Sequence, residues 1–299
     1  MADNTVAIFG LGAMGFGMAG ALLRAGVVTH GFDINPDAVA RFQAAGGAAG
    51  QFDDVATNLD AVVLVVLNAA QTEAVLFGEN GIAEKLSAGT AIVACATVAP
   101  DFARDMAQRC EALGLQYLDA PISGGTLRAA DGELSILASG SDAAFAKARP
   151  ALDAMASQVF ELGAAVGAGS SMKAVNQMLV GIQIASMAEA MTFGITQGVD
   201  PEKFLEIISQ CAGTSWALES RAPHVIAGDY TPLSAVDIWL KDLGIVLDIA
   251  KGAKFGAPLT AAALQQYLAA SGSGLGREDD AAVAKVYARN AGIALPGER

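Results

Sequence analysis

TVAIFGLGAMG, residues 5–15, is a short apolar run followed by glycines at 10, 12 and 15, after which an amphipathic run over residues 14–25 closes on Gly26. A strand, a glycine turn and a helix start in that order form the GxGxxG loop of dinucleotide-binding folds. Each glycine has a separate task there. Gly10 permits the tight turn, Gly12 leaves backbone bare where a pyrophosphate approaches, and Gly15 lets the helix lie close to the strand. With Leu11, Ala13 and Met14 these are the candidate phosphate contacts, because the helix start offers unpaired N–H groups and a positive dipole end.

Eighteen residues beyond Gly15, Asp33 ends the next apolar run, in HGFDINP. An acidic side chain there accepts hydrogen bonds from the adenosine ribose and repels a 2′-phosphate, so NAD is expected over NADP. The plainer alternative makes Asp33 only a helix cap.

Outward from this loop, apolar strands are expected at residues 5–9, 28–32, 61–67, 91–94 and 116–118, with helices at 14–25, 36–45 and 100–113. The run AVVLVVL at 61–67 does not alternate, as expected for a strand covered by helices on both faces. The rhythm predicts an α/β fold: a Rossmann-type, doubly wound amino-terminal domain over residues 1–164. LGAAVGAGS, around residues 162–170, carries the glycines of a linker. Beyond it no strand is expected. A helix over 171–197 leads into an all-α carboxy-terminal domain, residues 165–299, with helices at 201–210, 234–252, 258–270 and 279–291. So long and apolar a helix, linking the two domains, is expected to pack on other helices or on a second subunit.

The chain has 299 residues, with 18 Lys plus Arg against 31 Asp plus Glu, a net charge of −13. That balance disfavours nucleic acid and anionic membranes as partners. Cys95, Cys110 and Cys211 are odd in number and contain no CxxC pair, which fits a reducing cytoplasm better than a disulfide framework. No leader-like segment precedes the first strand. The apolar stretch 178–191 is interrupted by Gln183 and Glu189 and reads as a buried helix. The two histidines, His30 and His224, lie far apart in sequence, and no metal-ligand set is expected.

Two further segments suggest chemistry. DAPISGG, residues 119–125, follows a strand; its Ser123 hydroxyl and the backbone of Gly124 and Gly125 suit a carboxylate. GSSMKAVN, residues 169–176, opens the long helix and puts Lys173 and Asn176 three apart, on one face.

With FGLGAMG and Lys241-Asp242-Leu243, these motifs resemble the β-hydroxyacid dehydrogenase family, whose members include 3-hydroxyisobutyrate dehydrogenase and tartronate semialdehyde reductase. The likeness runs from about Val6 to Asp280. It implies an NAD-dependent oxidoreductase acting on a small hydroxy acid, with Lys173 as the catalytic group and Asn176 orienting the substrate. It further implies that Ser123, Gly124 and Gly125 hold the carboxylate, and that Thr97 lies at the nicotinamide ribose. Lys241 would reach the cofactor, and Leu67 and Asn68 would border it, although the family often has proline where Asn68 stands. Residues 228–248 and 273–283 are similar to the branch that oxidises short polyhydroxy acids at carbon 2. A homodimer or homotetramer formed through the helical domain is expected.

A lysine near its ordinary pKa of about 10.4 is a poor base at neutral pH, but burial or a neighbouring cation such as Lys241 lowers it. Blander readings stand beside these roles. Lys173 is then a solvated helix residue, and Lys241 an ion pair with Asp237 four residues earlier. Trp216, Trp239 and His224 are then packing residues, and Glu278-Asp279-Asp280 a helix start. A chain that kept the cofactor loop and lost catalysis would be an NAD-binding sensor; Lys173 and Asn176 argue against it.

Overall fold

A computed structural model describes residues 4–297. The chain divides into two compact units, with the boundary between Lys173 and Ala174.

The first unit is built on strands β1 (Thr5–Phe9), β2 (Val28–Phe32), β3 (Ala61–Leu64), β4 (Ala91–Ala94), β5 (Gln116–Asp119), β6 (Ile122–Ser123), β7 (Leu134–Gly140) and β8 (Ala156–Glu161). Their order is β2-β1-β3-β4-β5-β7-β6, with β8 paired to β7. The first five run parallel. Because β2 lies on one side of β1 and β3 on the other, the connections diverge at the carboxyl end of β1. An open α/β sheet binds its ligand at such a point.

Helices α1 (Ala13–Arg24), α2 (Pro36–Ala44), α3 (Phe52–Val55), α4 (Ala69–Phe77), α5 (Pro100–Ala112), α6 (Gly125–Asp131) and α7 (Asp142–Met155) lie between the strands in sequence. Alternate strand residues feed two cores. Ile8, Val63 and Val93 pack with Met18 and Leu22 of α1 and Leu152 of α7. Ala7, Val62 and Ile92 pack with Leu76 of α4 and Met106 of α5. Both faces of β3 are therefore covered, which is why its sequence does not alternate. The strand ends at Leu64, three residues earlier than expected. Beyond it the Val65 carbonyl lies where a Cβ on Gly10 would sit, 2.2 Å away.

The sheet departs from the parallel pattern after β5. β7 runs antiparallel to β5, pairing Leu118 with Gly140 and Asp119 with Ser139. β6 is antiparallel to β7, and β8 is parallel to it.

Helix α8 (Ala168–Thr196), 29 residues long, starts in the first unit and continues into the second. There follow α9 (Pro201–Ile208), α10 (Trp216–Ala227), α11 (Val236–Gly252), α12 (Pro258–Ala270) and α13 (Val283–Ala291). The second unit is helical, and its only β pairing among the described residues is an isolated bridge between Ala235 and Asp279. Helix α8 is long and apolar enough to cross a membrane by length and composition. Its Ile184, Met187 and Met191 are instead buried in one core with Leu218, Trp239, Leu243 and Tyr267. Gly181 allows this packing, since a Cβ there would meet Leu243 at 2.8 Å and Trp239 at 3.0 Å. Helix α10 lies between the helices expected at 201–210 and 234–252 and carries Pro223 in its interior. It is held at its ends: Ser215 Oγ accepts the Leu218 N–H (3.0 Å), and Gly228 closes it at φ 64°.

Candidate active site

The glycine loop is held from two sides. Gly10 (φ +96°) donates its N–H to the Phe32 carbonyl at 2.8 Å. Gly15 lies so close beneath the turn that a Cβ would fall 1.8 Å from the Gly10 oxygen. Gly12 differs: a Cβ there would meet nothing within 4 Å. Its bare backbone faces open space at the start of α1, where an anion finds unpaired N–H groups.

Asp33 is tied into this loop. The Leu11 N–H donates to its Oδ2 at 2.6 Å, and the Asn35 N–H to its Oδ1 at 2.8 Å. Helix α2 is capped by Asn35, which accepts the Asp37 N–H at 3.0 Å. The cap reading therefore belongs to Asn35. A cavity of about 600 Å³ is lined by Leu11, Gly12, Ala13, Phe16, Asp33 and Arg41, with the Arg41 guanidinium 4.2 Å above the Phe16 ring. Its size, bare loop and carboxylate rim suit the adenosine and pyrophosphate of a dinucleotide.

Leu67 and Asn68 follow β3 at the head of α4. Asn68 accepts the Gln71 N–H (2.9 Å), and the Gln71 side chain accepts the Leu67 N–H (2.8 Å). Asn68 thus has a capping task of its own. Thr97 is half-buried, three residues beyond β4.

At the end of β5, Asp119 is buried and accepts four hydrogen bonds. They come from the Gly167 N–H (3.1 Å), the Ser170 N–H (2.8 Å), the Ser170 hydroxyl (2.6 Å) and the Ser139 hydroxyl (3.4 Å). Ser139 in turn accepts the Gly169 N–H at 3.0 Å. The glycine segment expected as a linker is therefore docked onto the sheet, and α8 begins at Ala168 rather than Ser171. Gly169 is obligatory, since a Cβ would stand 2.3 Å from the Leu137 oxygen. Burial pushes the Asp119 carboxyl above its usual range, and the hydrogen bonds from Ser170, Gly167 and Ser139 partly offset this. Three residues after Ser170, Lys173 is buried, 7% exposed.

Four residues after Asp119, Ser123 pairs with Ser135 across β6 and β7. Gly124 and Gly125 both take left-handed φ angles, 138° and 75°. Gly125 faces open space. Two successive positive φ values turn the backbone in a way that side-chain-bearing residues resist.

In the second unit, Asn176, Gln177, Asp242 and Lys241 form one chain of contacts. Asn176 Nδ2 donates to Gln177 Oε1 at 2.9 Å, Gln177 Nε2 donates to Asp242, and Lys241 pairs with the other oxygen of Asp242. Lys241 thus pairs with its neighbour rather than with Asp237, which accepts from Ser271 at 2.6 Å. Gln177 was not singled out in the sequence, and Asp242 was quoted only within the Lys241-Asp242-Leu243 motif, with no role. The signal was their adjacency to Asn176 and Lys241.

Nearby residues serve the fold. Trp239 stacks on Tyr267 and donates Nε1–H to Asp280 (2.8 Å). Asp279 caps the turn before α13 by accepting the Ala281 N–H, as a helix start should. Asp280 pairs with Arg221 at 2.5 Å. Trp216 is exposed and Cys211 is a free thiol at the surface. Burial pushes the Cys95 and Cys110 thiols up to about 12, which leaves them inert. Among the described residues no His, Cys, Asp or Glu group is arranged to hold a metal ion.

Comparison with known proteins bears on both units. Residues 5–163 match the family described as the NAD binding domain of 6-phosphogluconate dehydrogenase. Residues 167–287 match that described as NAD-binding of NADP-dependent 3-hydroxyisobutyrate dehydrogenase. The chain is 49% identical over 297 residues to an L-threonate dehydrogenase of Cupriavidus necator, covering 99% of each chain. An L-threonate dehydrogenase of Escherichia coli is 45% identical, with 98% of this chain and 97% of the relative aligned. The crystal structure of a 3-hydroxyisobutyrate dehydrogenase from Salmonella typhimurium superposes with a TM-score of 0.88 at 45% identity, covering 95% of this chain and 100% of that one.

Proposed function

Because the chain belongs to the β-hydroxyacid dehydrogenase family and works with NAD, we propose that it oxidises L-threonate at carbon 2 to the 2-oxo acid, with Lys173 as the general acid–base. The near-full-length identity to L-threonate dehydrogenases carries this choice of substrate. The chemistry that bound NAD would supply is acceptance of the hydride from the carbinol carbon. The chain's own residues do the rest. Ser123, Gly124 and Gly125 hold the substrate carboxylate, and Asn176 orients the hydroxyl toward Lys173, whose Nζ takes its proton. Gly10 to Gly15 hold the pyrophosphate and Asp33 the adenosine ribose, favouring NAD over NADP. Leu67 and Asn68 border the dinucleotide, Thr97 meets the nicotinamide ribose, and Lys241 reaches the cofactor.

The likeness to the Salmonella 3-hydroxyisobutyrate dehydrogenase favours a second reading, 3-hydroxyisobutyrate oxidation, and reduction of tartronate semialdehyde is the remaining family alternative. NADH formation over a panel of three- and four-carbon hydroxy acids, with NAD and NADP compared, separates them. L-threonate with NAD is expected to give the highest kcat/KM. A higher value for 3-hydroxyisobutyrate overturns the substrate, and a preference for NADP overturns the role of Asp33. Lys173→Ala is expected to lower kcat by about 10²–10⁴-fold while NAD still binds. Near-normal turnover in that variant refutes the mechanism, and NAD binding without turnover by wild type on any acid marks a sensor.

The enzyme is proposed to be a cytoplasmic homo-oligomer joined through its helical unit. Val175, Leu179 and Phe193 on α8 are 54%, 54% and 65% exposed, an apolar surface that a second copy would cover. Sedimentation of the intact chain as a monomer would exclude this.

A further inference from the structure

We propose that Asp119 is a positioning residue for Lys173, acting as a buried anchor that sets the lysine against the carboxylate-binding turn. The inference rests on the reading of Lys173 and Ser123–Gly125 given above. Three observations within the first unit carry it.

The first is the pattern of contacts. Asp119 Oδ2 takes the Gly167 and Ser170 N–H groups, and Oδ1 takes the Ser170 hydroxyl. The two N–H groups lie just before and within the first turn of α8, where backbone donors have no partner within the helix itself. Lys173 follows Ser170 by three residues, less than one turn and about 4.5 Å along the axis. Movement of that first turn would carry Lys173 with it.

The second is what lies on the other side of Asp119. It is the last residue of β5, and its own backbone leads through Pro121 to Ser123 in four residues. β5 and β7 pair at Asp119 and Ser139, and Ser139 bonds both to the Asp119 carboxylate and to the Gly169 N–H. The turn that would hold the substrate carboxylate and the helix that carries the proton acceptor therefore leave from one point.

The third is cost. Asp119 is 1% exposed, and its contacts are with hydroxyl and backbone donors. A buried carboxylate held in this way is a poor device for stability alone, because desolvation opposes it. A charged acceptor does give shorter, more directional bonds than a neutral one. Directional anchoring is what an acid–base group needs, since about 1 Å of misplacement costs on the order of 100-fold in rate.

The test uses the intact enzyme with the best acid of the panel, unlabelled and deuterated at the carbon that loses hydride. Asp119→Asn keeps the shape but turns an amide N–H toward donors. It is expected to lower kcat on the order of 100-fold, with the KM for NAD and the number of NAD sites unchanged. The deuterium isotope effect on kcat should rise as the chemical step becomes limiting. Ser170→Ala removes one hydroxyl contact and should lower kcat about tenfold with the same signature; it serves if Asp119→Asn does not fold. The double variant should be no slower than Asp119→Asn, because both act on one anchor. A kcat per NAD site within about twofold of wild type for the single variants overturns the proposal. So does a loss of activity in proportion to lost NAD sites with an unchanged isotope effect, which marks a purely structural residue. If Lys173→Ala retains turnover, the reading of Lys173 has failed and this inference falls with it. If Lys173→Ala is inactive while Asp119→Asn is not, this inference alone fails.

Discussion

Asp33 and Asp280 are two carboxylates used in opposite ways. Asp33 lines a cavity and ties Leu11 and Asn35 together. Asp280 is fully buried between Arg221 and Trp239. Burial, with Asp279 adding to it, lifts the Asp280 carboxyl to about 6 despite the Arg221 guanidinium. An acid whose folded-state pKa is raised is protonated more readily in the folded chain than in the unfolded one. As pH rises from about 4 to about 6 the unfolded chain ionises first, so folded stability from this group is lost. The stability of wild type relative to Asp280→Asn, from urea denaturation, should therefore fall across that window, by up to about 3 kcal/mol. A gap that widens with pH would show that Arg221 outweighs burial. Asp33 could be read from the sequence because its place is fixed by distance along the chain from the glycines. The partner of Asp280 could not, since Arg221 lies 59 residues away and no local periodicity links them. The same holds for Gln177 and Asp242, which are 65 residues apart.

The glycine loop holds two kinds of glycine, one packed against backbone and one facing open space. Gly15→Ala would drive a methyl into the Gly10 carbonyl at 1.8 Å, whereas Gly12→Ala would meet nothing within 4 Å. Gly15→Ala should lower the Tm, at a cost of about 3 kcal/mol or more, as overpacking against backbone does. Gly12→Ala should keep the wild-type Tm and weaken NAD binding at least about tenfold, because its methyl occupies space needed by the pyrophosphate. Equal Tm losses in the two variants would contradict the assigned roles. Elements of this kind were legible because local chemistry dictates them: β1, β2 and β4 fall where the apolar runs predict. Strands β6 to β8 were not. β8, ASQVFE, has no buried residue and so no apolar alternation to read, and β6 has only two residues, positioned by their pairing with β7. Helix α10 was not among the expected helices; its Pro223 lacks an N–H, which is tolerated when burial of Leu218, Ala222 and Val225 supplies the stabilisation.

Across the molecule, acidic side chains exceed basic ones by enough to give a net charge of −13, while NAD and the proposed hydroxy acid are both anions. The protein's summed field should slow their approach at low salt. Raising ionic strength from about 0.01 M to about 0.15 M shortens the screening length from about 30 Å to about 8 Å. The kcat/KM for the hydroxy acid should then rise severalfold. A fall instead would show that the lysines near the site, and not the whole surface, set the field that the substrate meets.

The boundary between the two compact units falls inside α8, between Lys173 and Ala174, with no break in the helix. For anyone recombining relatives to alter substrate choice, the obvious crossover in the glycine segment before α8 is the wrong one. A graft joined there would take Gly167 and Ser170 from one parent and Asp119 from the other, and the buried carboxylate would depend on donors that did not evolve with it. A crossover placed after Thr196, at the end of the helix, keeps anchor, lysine and asparagine as a single heritable block.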